Sequence, residues 1–250
     1  MDNHIKYLIL TVFCGLQVVA CNHHAPVDNQ LTLLEKKDGW QLLFDGKTMN
    51  GWRRIYSNSL PEHGWRVEDG CLIVEKDNSG ESANGGDLVT VREYDNFDLT
   101  FDFKMTPGAN SGVKYFVNES LGDPNSGYGY GPEYQIIDDG VHPVFQTDRI
   151  PVGCKLAGLY ELKEAPDTKK VNPVGEWNTG RIVSKNRHVE HWLNGELMFS
   201  YVLGSDQFKV WVQQSKFRDT KGYGEDAKGY ILIQDHGDKV SFKNIKIKEL

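Results

Sequence analysis

The sequence predicts an all-β sandwich with one short helix and long rim loops. Short β-prone runs recur from Trp40 onward, Gly, Asn, Asp and Pro separate them, and no helical segments alternate with them as βαβ units require. The runs fall at 71–75, 87–91, 97–105, 112–118, 133–137, 181–184, 188–193, 196–203, 229–234 and 239–248.

In Phe97-Asp98-Leu99-Thr100-Phe101-Asp102-Phe103-Lys104-Met105 every odd position is apolar, so this strand buries one face and wets the other. Asn194-Gly195, between His191-Trp192-Leu193 and Leu197-Met198-Phe199, fits a two-residue hairpin because both residues tolerate positive φ. Ser205 is placed to cap the helix, in which Phe208, Trp211, Val212 and Ser215 recur at three- and four-residue steps before the Gly222-Tyr223-Gly224 break. Segments 119–132 and 138–155 are rich in Gly, Pro and Asp yet carry Tyr128, Tyr130, His142 and Phe145, which suits a binding rim better than a linker.

At the N-terminus, the apolar stretch from Tyr7 to Ala20 follows a polar start with Lys6, the shape of a signal peptide too short to span a bilayer. Val18-Val19-Ala20-Cys21 resembles a bacterial lipobox, in which the Cys is lipidated and becomes the new N-terminus. The expected organisation is a signal peptide at 1–20, lipidated Cys21 and a tether at 21–37, and one domain at 38–250. The lipid would hold that domain at the cell envelope, in the periplasm or at the outer membrane, and would be its only membrane contact. With Cys14 removed and Cys21 acylated, Cys71 and Cys154 remain, either as one disulfide or as two apolar thiols.

Composition narrows the function classes. A net charge of −7 and no basic tract argue against nucleic acid as a partner. A mean hydropathy of −0.51 excludes a polytopic membrane protein. Six Trp, eleven Tyr and eleven Phe supply a sizeable core.

Eight ordered motifs carry a family resemblance: Trp40-Gln41-Leu42-Leu43-Phe44-Asp45-Gly46-Lys47, Gly51-Trp52, Trp65-Arg66-Val67-Glu68-Asp69-Gly70, Asn110-Ser111-Gly112-Val113, Glu133-Tyr134-Gln135-Ile136-Ile137-Asp138-Asp139, Gly175-Glu176-Trp177-Asn178, His191-Trp192-Leu193-Asn194-Gly195 and Gln234-Asp235-His236-Gly237. Together, from about Gly39 to Leu250, they resemble the domain of unknown function 1080 family, associated with cleavage of 3-keto-disaccharides and 3-keto-glycosides. The resemblance implies a concanavalin-like jelly roll, common in lipoproteins of Bacteroidota. It also implies a carbohydrate substrate first oxidised at C3 by a partner sugar 3-dehydrogenase. Many relatives carry Arg where this chain has Phe116, with Lys114 two residues earlier. Strand alternation puts 114 and 116 on one face, so the cation would be kept but displaced.

The same alternation sorts the motif residues. Val113, Tyr115 and Val117 point one way and Lys114 the other; Tyr134 and Ile136 point inward, leaving Glu133 and Gln135 outward; Gln234 and His236 share a face. A wet face with Lys114, Glu133, Gln135, Gln234 and His236 is dense in convergent polar groups. Asn110 and Asn178 are turn formers that the resemblance promotes to substrate contacts. His191 and Trp192 either pack across their hairpin or serve the sugar, with Trp192 as an aromatic platform. Asp138 and Asp139, beside Gly140, form an Asx turn or, with His142, offer ligands to a divalent metal, the one cofactor the sequence suggests.

A ketone at C3 acidifies the C2 hydrogen, so a base can remove it and the C1 substituent can leave by β-elimination. Glu133 or His236 would be the base and Lys114, or a bound metal, would stabilise the enolate. Gln135, Gln234, Asn110 and His191 would position the sugar. The competing readings are a non-catalytic carbohydrate-binding module and, third, a retaining glycosidase. The latter needs two carboxylates about 5 Å apart, whereas Glu133 and Asp138 fall on opposite faces of a regular strand.

Overall fold

The computed structural model describes residues 27–77 and 80–250, so the expected signal peptide, Cys21 and the first tether residues lie outside the described residues. Two antiparallel sheets face each other, as expected for a sandwich. The larger orders β11 (Glu196–Val202), β10 (His188–Leu193), β9 (Asn178–Lys185), β6 (Phe97–Met105), β13 (Val240–Glu249), β4 (Cys71–Val74) and β3 (Trp65–Glu68), with β1 (Trp40–Leu42) also paired to β13. The smaller orders β2 (Trp52–Arg54), β5 (Leu88–Tyr94), β12 (Gly229–Ile233), β7 (Asn110–Val117) and β8 (Glu133–Ile137).

The core follows from alternation. Phe97, Leu99, Phe101, Phe103 and Met105 of β6 pack against Val113 and Tyr115 of β7, Tyr134 and Ile136 of β8, and Ile231 and Ile233 of β12. Burying each such side chain stabilises the fold by about 1.5–3 kcal/mol. Asn194 and Gly195 take φ of 49° and 81°, the doubly left-handed turn that closes β10 onto β11.

Two features follow the sequence reading and two depart from it. The helix predicted after Ser205 is α2 (Asp206–Gln214), capped by the Ser205 side chain on Phe208 N at 3.2 Å. A second short helix, α1 (Leu33–Lys37), opens on a Thr32/Glu35 capping box within the stretch expected to be a tether. That stretch is docked from Val27 onward. Asn29 and Asn244 exchange backbone N–H to side-chain oxygen bonds of 2.6 and 2.9 Å, and Lys246 pairs with Glu35.

The other departure is Phe116, expected beside Lys114. Its φ of +53° breaks the alternation where β7 and β12 slip register, so the ring turns into the core against Phe97 and Tyr115. Val117 consequently joins Ile55, Val89 and Leu232 in a small apolar cluster on the far side of the smaller sheet. Lastly, Cys71 and Cys154 are both free thiols, the latter buried.

Candidate active site

The outward face of the smaller sheet carries the convergent groups. Gly112 of β7 pairs with Gln135 of β8, and Lys114 pairs with Glu133 one step along. On the other side of β7, Leu232 pairs with Lys114, and Gln234 N donates to Gly112 O at 2.9 Å just past the end of β12. The face is roofed rather than wet. The Lys114 and Glu133 side chains are 1% and 4% exposed.

Lys114 is the centre of this arrangement. Its Nζ donates to Gly129 O at 3.1 Å and lies 3.8 Å from Asp87 Oδ2 and 4.0 Å from Glu133 Oε2. The Tyr128 ring covers it, 3.7 Å from Nζ to the centroid, a desolvated cation–π contact. A bare ammonium this deep is costly, and the two carboxylates and the ring offset that cost.

The two carboxylates differ in how they are held. Asp87 accepts from Ser82 Oγ at 3.1 Å, Asp235 N at 2.9 Å and Gly129 N at 3.3 Å. The Glu133 carboxylate accepts no hydrogen bond among the described residues and is steadied by the charge of Lys114 and, less, of Lys216. Burial pushes Glu133 up to about 7 against the pull of Lys114, and Asp87 up to about 6 for the same reason. Glu133 is therefore a carboxyl that exchanges protons near neutrality, with its oxygens unengaged.

Around this pair, Gln234 Nε2 donates to Glu81 Oε1 at 2.6 Å, which fixes the amide and leaves buried Gln234 Oε1 without a donor. Gln135 Nε2 donates to Asn110 Oδ1 at 3.1 Å. A cavity of about 370 Å³ adjoins the roof, lined by Glu81, Tyr128, Tyr130, Lys216, Phe217 and Thr220. His236 is half-buried beyond β12, toward the Asn110 end of β7, where nearby Asp238 accepts from Asn110 N at 3.1 Å.

Residues 39–248 match the 3-keto-alpha-glucoside-1,2-lyase-like domain family, more than four-fifths of the chain. The chain belongs to that family. A 3-keto-disaccharide hydrolase of Bacteroides thetaiotaomicron is 34% identical over 242 residues, spanning 89% of this chain and 82% of the relative. A Parabacteroides distasonis structure provisionally assigned as a glycosyl hydrolase is 38% identical with a TM-score of 0.78, covering 90% of this chain and all of that one. A second from the same organism is 29% identical with a TM-score of 0.60, over 84% and 99%.

Three of this family member's motif residues lie away from the site. His191, expected to contact substrate, is fully buried between the sheets. Its Nδ1–H donates to Ala157 O at 3.2 Å, so Nε2 accepts from the Tyr115 hydroxyl at 2.8 Å, and Tyr115 in turn accepts from Tyr201 at 2.7 Å. Burial lowers its pKa to about 3 and keeps it neutral. Trp192, one residue on, therefore points out from the larger sheet, donating to Glu190 Oε2 at 2.8 Å under the Arg181 guanidinium. It offers no platform to a sugar near Glu133. Asn178 is consumed locally, accepting from Asn172 N and Asn194 Nδ2 at 2.9 and 2.8 Å beside the β10–β11 hairpin.

The expected metal ligands are also engaged elsewhere. Asp138 accepts from Gly108 N and Gly140 N, both near 2.8–2.9 Å, in the Asx turn that was the alternative. Asp139 accepts from Leu156 N and pairs with Lys169 at 2.8 Å, and His142 Nδ1 caps a 3-10 turn by accepting from Val144 N. Among the described residues no three His, Cys, Asp or Glu side chains gather as a metal site.

Sequence reasoning missed Asp87, Glu81, Tyr160 and Lys216. Glu81 sits in a turn without a strand period to sort it, and Asp87 opens the predicted run 87–91 but lies just ahead of β5, before its alternation begins. Tyr160 lies in an irregular stretch that an isolated bridge, Leu159 to Tyr134, and a few backbone hydrogen bonds tie to β8.

Proposed function

We propose that this protein cleaves the glycosidic bond of 3-keto-glycosides or 3-keto-disaccharides by C2 proton abstraction and β-elimination, with net hydrolysis where water then adds. The observation that carries the reading is Glu133: a buried carboxylate, unengaged, held 4.0 Å from an ammonium and titrating near 7. Support comes from the family and from the name of the 34% identical relative.

In this reading Glu133 removes the C2 proton. The positive potential of Lys114 favours charge developing at the C3 oxygen, and the Tyr128 ring keeps water from screening it. Asn110, Gln135 and Gln234 orient the sugar, and His236, at the Asn110 end, is the second-ranked base. A two-carboxylate displacement draws less support, because Asp138 spends both oxygens on backbone amides. A pure binding module would have no use for a carboxyl held near neutrality beside a buried cation. The same reading calls for a sugar 3-dehydrogenase upstream, and the Val18-Val19-Ala20-Cys21 motif supports an enzyme held at the envelope by a lipid.

The test is incubation of the purified domain with a 3-keto-glucoside and with its unoxidised parent in deuterated water. Cleavage of the ketone only, with loss or exchange of the C2 hydrogen, is expected. Equal turnover of both substrates would overturn the proposal.

A further inference from the structure

Elimination needs a proton for the departing oxygen as well as a base at C2, and none of the groups above is placed to supply it. Tyr160 is. The bridge between Leu159 and Tyr134, and the 3.1 Å bond from Tyr160 N to Glu133 O, set Tyr160 opposite Glu133 as an antiparallel pair. In such a pair the Cβ atoms stand about 4.5–5.5 Å apart. Tyr134 points into the core, so Glu133 on the same strand points to the site face. Tyr160, at the start of the turn that follows Leu159, is half-buried, and its hydroxyl meets Lys216, whose charge also bears on Glu133.

The hydroxyl of Tyr160 accepts from Lys216 Nζ at 3.3 Å, and that ammonium also sits 4.5 Å above the Tyr160 ring. Lys216 can only donate, and the Tyr160 O–H has no acceptor among the described residues. The proton is thus held ready, and burial together with Glu133 keeps the phenol above its ordinary pKa, in the donor form at neutral pH. Across the sheet the order is Lys114 on β7, Glu133 on β8, then Tyr160 on the segment flanking β8. The sugar presents O3, the C2 hydrogen and O1 in that same order.

Resting on the elimination reading, we propose that Tyr160 donates the proton to the leaving glycosidic oxygen, with Lys216 as its positioning residue. The C2–H pair moves into C2=C3 as O3 takes the charge. It then returns to form C1=C2 with the ketone restored, while the C1–O pair leaves with oxygen, which takes the Tyr160 proton. Glu133, now protonated, returns its proton to the phenolate of its cross-strand neighbour. The step is redox-neutral and consumes no co-reactant.

The experiment compares wild type and Tyr160→Phe on an alkyl and a 4-nitrophenyl 3-keto-glucoside, following release of alcohol and C2 deuterium exchange in recovered substrate. Tyr160→Phe should lose about a hundredfold in kcat on the alkyl substrate, only a few-fold on nitrophenyl, and keep its exchange. Lys216→Met should show the same selectivity more weakly. Equal losses on both substrates, or lost exchange, overturn the role of Tyr160 while leaving elimination standing. Wild type without C2 exchange or ketone dependence overturns the elimination reading and the donor with it.

Discussion

The Glu133 carboxylate occupies the space a side chain at position 112 would need: a Cβ on Gly112 would lie 2.3 Å from Glu133 Oε1. Gly112 has an ordinary strand conformation, so the glycine serves the neighbour rather than the backbone. The strand motif Asn110-Ser111-Gly112 therefore has a chemical purpose: it lets the carboxylate lie across β7 beside Lys114.

Gly112→Ala should displace the carboxylate without breaking the strand. Expected is a kcat lowered by about tenfold or more with a far-UV spectrum and Tm close to wild type. An alanine variant with undiminished turnover would remove the requirement for this packing.

Glu133→Gln should lower kcat by about a hundredfold or more while sparing KM, as loss of a base does. In wild type, activity should rise with pH through about 7 as Glu133 ionises. Stability runs the other way. Glu133 and Asp87 have folded-state pKa values raised above their unfolded ones, so the native state holds extra protons between the two, and stability falls as pH rises from about 4 to 7. Urea unfolding of both proteins at pH 5 and pH 8 should show the variant losing less over that interval. Parallel losses would contradict the raised value for Glu133.

Lys114→Met leaves Asp87 and Glu133 buried with no cation between them, which costs about 3–5 kcal/mol where one partner of a buried pair is removed. In the folded fraction the acidic limb of the pH–rate profile should move to higher pH, since Lys114 is what opposes desolvation at Glu133. An unmoved limb would separate Lys114 from the titration of the base.

His191→Leu removes the donor to Ala157 O and the acceptor for the Tyr115 hydroxyl, leaving a buried carbonyl unpaired and the Tyr115–Tyr201 hydroxyl pair one acceptor short. A loss of about 3 kcal/mol is expected in denaturant unfolding. Because Ala157 begins the segment that carries Tyr160 along β8, the rate should fall modestly as well, with KM the main casualty. A variant as stable as wild type would show that this core network is dispensable.

Much of the fold could be read from alternation: Phe97 to Met105 buries its odd positions, with Asp98, paired to Arg181, the one buried residue on the other face, and the same rule puts Lys114, Glu133 and Gln135 together. It misled at Phe116, where a left-handed residue inverts the pattern, a backbone choice no side chain advertises. His191 and Trp192 show a different limit. Alternation says that adjacent residues part ways, but it is silent on which sheet their strand joins, and β10 lies in the sheet away from Glu133. Tyr160 could not be sorted, since it lies in an irregular segment, and Asp87, at the edge of a predicted strand, is positioned by contacts distant in sequence.

The docking of residues 27–37 across Lys243, Asn244 and Lys246 puts the entry of the chain on the outer side of the eight-stranded sheet, with the Glu133 roof on the outer side of the other. Five residues separate Cys21 from Val27, a reach of at most about 20 Å. A protein held to a bilayer at Cys21 would thus stand with its larger sheet toward the lipid headgroups and its sugar groove turned to the medium, open to soluble glycosides and turned away from any that are themselves embedded in that membrane.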